Sequence, residues 1–157
     1  MSFLRFLVLL SLIVWLGGLI FFPVVAQTAF AVLPTRHLAG SVVGRSLGIL
    51  HWMGMISSAV FLASSLLLSR LNSGEAHVFA PRNVLVCLML LLTLISQFGI
   101  IPRMDVLRAS MGEIDAAPAD LPARVQFDGL HQWSTRIESG VILLGLAVAY
   151  LTARSLT

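Results

Sequence analysis

Residues 127–151, FDGLHQWSTRIESGVILLGLAVAYL, begin with a polar cluster (His131, Ser134, Thr135, Arg136, Glu138) and then turn wholly apolar, with no formal charge over residues 139–153. A helix over those 15 residues rises ~22 Å, whereas the hydrocarbon core of a bilayer is ~30 Å thick. To cross a membrane, this helix must carry part of its polar entrance to membrane depth. His131, Ser134 or Thr135, and Glu138 follow one another at helical spacing and so share a face. Ionisable groups at that depth are expensive in lipid, so this face is expected to meet other helices, water or a ligand.

The rest of the chain supports a membrane reading. Of its 157 residues, 58% are hydrophobic and 11% charged, and the mean hydropathy is +0.97. A soluble domain carries roughly a quarter charged residues, so the expectation is an all-α integral membrane four-helix bundle, one transmembrane domain over residues 1–157. The net charge of +3 comes wholly from ten arginines, since lysine is absent. In a soluble chain such basicity would point to nucleic acid. Here the arginines lie at helix ends and in links, where they act as topology signals and headgroup contacts, and no nucleic-acid partner is expected. Cys87, without a second cysteine, reads as a small buried hydrophobe.

Four spans are expected, over about 3–30, 46–69, 83–102 and 127–151, with one long loop over 103–122 that holds Asp105, Glu113, Asp115 and Asp120. The apolar run after Arg5 covers residues 6–26, longer than the h-region of a signal peptide, and reads as a first membrane helix. Pro23 predicts a kink or broken turn. Gly17 and Gly18 invite a close helix contact, and Trp15, at mid-span, is expected inside the bundle. Pro34-Thr35 starts the second helix, in which Gly44 and Gly48 form a GxxxG pair suited to packing within the chain or to dimerisation. Residues 71–82 make a turn, Pro102-Arg103 ends the third span, and Asp120 caps the fourth. His37 and His77 fall in links and are expected to be solvated.

Four spans put both termini on one side, here side A, with Arg5, Arg70, Arg82 and Arg154. Side B then holds Arg36, Arg45, Arg103, Arg108, Arg124 and Arg136, a balance that leaves orientation open. In a bacterium the host would be the cytoplasmic membrane. Each helix offers a polar group near side B: Gln27, His51, Gln97 and His131, with Glu138 deeper. Trp52 and Trp133 adjoin the two histidines and mark the interface.

Several readings compete for this cluster, the plainest being that His51 and His131 are hydrated interfacial residues hydrogen-bonded to loop backbone. Ser134 and Glu138, with His131, would line a pocket faced by Gln27, His51 and Gln97. As an ionisable relay, His131 and Glu138 would line a proton or solute path. Glu138 could equally lock the bundle through a salt bridge to Arg136 or Arg45. As ligands, His51 and His131 would hold haem b, or copper with help from Met53, Met55 or Met104. No HxxxH, ExxH or CxxC spacing supports a metal. No Walker loop, G-x-S-x-G or Rossmann glycine pattern marks an enzyme, and no catalytic residue is assigned.

The stretch WLGGLIFFPVVAQTAFAVLPTRHLAG, the segment IPRMDVLR and the pattern FDGLHQWS resemble the transmembrane protein 205-like family, a family of unknown function with four membrane helices. The likeness covers about residues 9–151. Its most specific piece, F-x-x-L-H-x-x-S, is matched by Phe127, Leu130, His131 and Ser134, while the second span matches less well. At fold level the chain is also similar to the copper-resistance protein D and HemJ-type families, whose membrane histidines imply copper or haem handling. The expected function is a non-enzymatic membrane protein that binds or passes a small solute or ion. Its expected partners are the lipid bilayer, further copies of itself or other membrane subunits. The alternative is a haem- or copper-binding redox protein.

Overall fold

The computed structural model describes residues 1–112, 114 and 116–155; Glu113 and Asp115 of the expected acidic loop lie outside the described residues. Five α-helices follow in order: α1 (Ser2–Val32), α2 (Arg36–Ser73), α3 (Pro81–Leu94), α4 (Ile101–Met111) and α5 (Pro122–Arg154), with a π-helical turn, Ile95–Ile100, joining α3 to α4. α3, the π turn and α4 form one continuous rod, so four rods of 31, 38, 31 and 33 residues are long and apolar enough to cross a membrane. At 1.5 Å per residue even the shortest is ~46 Å, so each extends beyond the hydrocarbon. The protein is a multi-pass, all-helical membrane protein, with no strand among the described residues.

Arg5, Leu68, Arg82 and Thr152 surround one cleft. The start of α1, the end of α2, the start of α3 and the end of α5 therefore meet at side A. The core runs along the rods as Val8, Leu12, Trp15, Leu19, Leu50, Phe61, Val86, Met89, Val141 and Val148. Small residues let the backbones approach. Gly54, Ser57, Ser58, Ser64 and Ser65 make a buried stripe on α2, and the Trp15 indole fills the space where a Cβ on Gly54 would stand. Lipid drives no hydrophobic association, so such close packing is what holds membrane helices together. Phe3, Ile13, Phe21, Ile56, Leu143 and Tyr150 point outward, as a lipid-facing surface requires.

Several boundaries differ from the expectation. α1 is not broken at Pro23 but runs through it to Val32. The third span does not stop at Pro102. Proline has no N–H, and its ring presses on the carbonyl four residues back. The wider π turn accommodates this, with the Ile101 N–H donating to the Ser96 carbonyl five residues back, and the helix continues to Met111. The long loop is accordingly shorter, beginning at Gly112 (φ 66°). Asp120 does not cap α5; its N-cap is Leu121, without a side-chain bond, and Pro122 opens the helix. Thr35 caps α2 as expected, accepting from the Leu38 N–H at 3.2 Å. α2 extends past the predicted span to Ser73 and closes on Gly74 (φ 78°), a left-handed position that suits glycine. Cys87 is exposed on the outer face of α3 rather than buried, because both faces of that run are apolar. His37 belongs to the first turn of α2 and is half-buried, whereas His77 is exposed as expected.

Candidate functional site

His51 is only 2% exposed, yet it does not stand alone. Its Nδ1 lies 2.9 Å from Gln97 Oε1 and its Nε2 2.6 Å from Glu138 Oε1. An amide oxygen can only accept, so Nδ1 carries a hydrogen and donates to Gln97. The opposite nitrogen meets the Glu138 carboxyl at hydrogen-bond distance. Ionisable groups buried among apolar helices persist when they are paired and hydrogen-bonded in this way. Three rods converge on this point: α2 through His51, the π turn through Gln97 and α5 through Glu138. The π turn inserts one residue into the rod, so it sets where Gln97 points relative to α4.

Glu138, with its side chain 13% exposed, also faces outward from this triad into a cavity of about 500 Å3 bounded by α1, α2, α4 and α5. His131, Ser134, Thr135 and Glu138 all line it, as their helical spacing predicts. Glu138 follows His131 by seven positions, which places it ~10 Å further along the helix. Gln27 lines the cavity from α1, and Leu19, Phe22, Val43, Leu47 and Ile142 give it apolar walls. Of the six expected site residues, four line the cavity and two, His51 and Gln97, stand behind Glu138.

Arg108 and Arg124, not singled out from sequence, shape the cavity. The Arg108 guanidinium lies 5.4 Å from the Phe127 ring centroid and 3.5 Å from Asp105. It passes over α2 where Gly40 and Gly44 leave room; a Cβ on Gly44 would come 3.4 Å from it. Gly44 thus serves contact within the chain, and a Cβ on Gly48 would meet nothing within 4 Å. Arg124 donates to the carbonyls of Ile114 and Ala117 and lies 3.5 Å from Asp128, tying the α4–α5 link to α5. A signal was present: glycines four apart at 40 and 44, and an arginine among helix formers after Pro102.

The two histidines occupy different environments. His131 is exposed and stacks beside Phe127, with ring centroids 6.4 Å apart. Both ring nitrogens of His51 are already bonded. No group of three or more His, Cys, Asp or Glu that could hold a metal occurs among the described residues. Met104 packs with Ile100 and Phe127 and Met53 faces outward, so neither supplements a copper site. His51 is thus engaged by Gln97 and Glu138, and His131 by Phe127. Glu138 is held by His51 rather than by Arg136 or Arg45, and Arg136 instead lies over the Trp133 ring at 5.4 Å.

The fold and this buried polar triad define a polytopic helical membrane protein with an ionisable group on the wall of an open cavity. Over residues 10–113 it matches the family model of a domain of unknown function, DUF4149, and the chain belongs to that family. The match takes in His51 and Gln97 and ends before α5, so His131, Ser134 and Glu138 lie beyond it. No curated protein and no solved structure matches the chain. The likeness to the transmembrane protein 205-like and copper-resistance protein D families therefore gains no named relative.

Proposed function

We propose that the chain binds or passes a small solute or ion through the side-B cavity, as a non-enzymatic membrane protein acting alone, as an oligomer or as an accessory subunit. The observation that carries this reading is Glu138, held by buried His51 at 2.6 Å and open to a cavity of about 500 Å3. An ionisable group kept at membrane depth is costly and typically marks a solute or proton path. A bundle lock alone would need no cavity against the carboxyl. The apolar walls and the polar groups His131, Ser134 and Gln27 suit a solute with an apolar body and one polar end.

Purified protein in liposomes tests this with two readouts: small molecules retained through purification, identified by mass spectrometry, and proton flux after a pH step. Glu138→Gln and His131→Ala are expected to lower retention or flux about tenfold, the effect of losing one charge-assisted contact, with helical content unchanged. Identical retention and flux in wild type and both variants would reduce the triad to a structural lock. A Soret band or stoichiometric copper in wild type, lost in His131→Ala, would replace the proposal with the haem or copper alternative.

A further inference from the structure

At side A, the far end of the bundle from Glu138, four helix ends enclose a second cleft of about 240 Å3. Arg5 from α1, Arg82 from α3 and His77 line it. Among the described residues no carboxylate lines this cleft, unlike the side-B cavity, which Asp105, Asp128 and Glu138 line beside its arginines. Among the described residues neither Arg5 nor Arg82 has an ion-pair partner. Arg82 donates from Nη1 to Ser155 Oγ at 2.9 Å, which leaves most of its five N–H donors for another acceptor.

Thr152 adds an independent observation. It lines the cleft, is 1% exposed, and its Oγ1 has no hydrogen-bond partner. Threonine hydroxyls in helices ordinarily donate to the carbonyl four residues back, as those of Thr28, Thr93 and Thr135 do here. A buried hydroxyl left unbonded is destabilising, so this wall lacks an acceptor. Val8, Leu9 and Leu68 supply an apolar side.

The geometry points to a site for a phosphate-bearing anion between Arg5, Arg82 and Thr152, filled by the headgroup of an acidic phospholipid or by free phosphate. An anion there supplies negative charge beside the two arginines and an acceptor at the wall that holds Thr152. A phospholipid would lay its first acyl carbons against Val8 and Leu68.

The test uses the full chain in nanodiscs of phosphatidylcholine with phosphatidylglycerol, with retained lipids counted by native mass spectrometry. Inorganic phosphate is titrated separately against the melting temperature in detergent. Phosphatidylglycerol is expected to be retained over phosphatidylcholine, with a loss of about fivefold for Arg5→Gln and for Arg82→Gln, as for one arginine near a charged headgroup. Thr152→Val should weaken retention in the same direction. Arg70→Gln, on the same side but outside the cleft, should change it less than about twofold. A phosphate-induced, Arg5-dependent rise in melting temperature without lipid preference identifies the occupant as the free anion. Because Arg82 also holds Ser155, Arg5→Gln decides the matter; the Arg5 side chain is exposed and needed for no described contact. Equal retention of both lipids with no phosphate effect, or an equal loss in Arg70→Gln, would overturn the proposal.

Discussion

Replacing Glu138 by leucine removes the partner of His51 Nε2, a bond of 2.6 Å to a ring 2% exposed. Breaking a buried ion pair from one side costs about 3–5 kcal/mol in soluble proteins, because a charge is left uncompensated. Two features reduce that figure. The carboxyl borders a cavity, from which water or solute can reach the orphaned nitrogen. Interhelical hydrogen bonds in membrane proteins also average only ~0.6 kcal/mol, since the unfolded chain in the membrane finds partners too. The expected loss for Glu138→Leu is therefore about 2–3 kcal/mol, between those limits. Glu138→Gln keeps a neutral hydrogen bond and should lose only about 1 kcal/mol. His51→Leu combined with Glu138→Leu leaves neither group orphaned, so the double variant should be more stable than the sum of its parts, by about 2 kcal/mol. Reversible unfolding in mixed micelles measures wild type, the three single variants (His51→Leu included) and the double variant on one scale. Additive losses would show that the two side chains do not stabilise one another, and the account of the buried pair would fail.

Two further predictions concern the frame around this pair. Gly54→Leu drives a side chain into the Trp15 indole and should cost about 1–3 kcal/mol by overpacking; the same unfolding assay should show Trp15→Ala relieving the clash, and a tolerated Gly54→Leu would refute the close contact. Pro102→Ala removes a proline from a helix interior, which on propensity alone would gain about 3 kcal/mol. If the π turn is what brings Gln97 to His51 while keeping Met104 and Arg108 packed near α5, regularising it rotates one partner out of place by ~100°. The net gain should then stay below about 1 kcal/mol, with a weaker coupling between His51 and Gln97 in a double-mutant cycle. A full gain with unchanged coupling would show the π turn to be strain without a role.

The sequence by itself determined the four apolar spans and their antiparallel order. Length sets whether a helix crosses a bilayer. It also determined the shared face of His131, Ser134 and Glu138, since a helix step of 100° relates residues on one rod without reference to any other. How each rod is turned about its own axis was decided only in the tertiary structure. In a soluble bundle the apolar stripe shows which face turns inward, but lipid is as apolar as the core, so both faces of these helices read alike. For that reason Cys87 proved to face outward, and His51 met Glu138 and Gln97 rather than His131. Pro102 likewise reads as a stop when taken alone. The packing of Ile100 before it, Met104 after it and Phe127 of α5 holds the rod together across the proline, and the π turn this requires sits where Gln97 reaches His51.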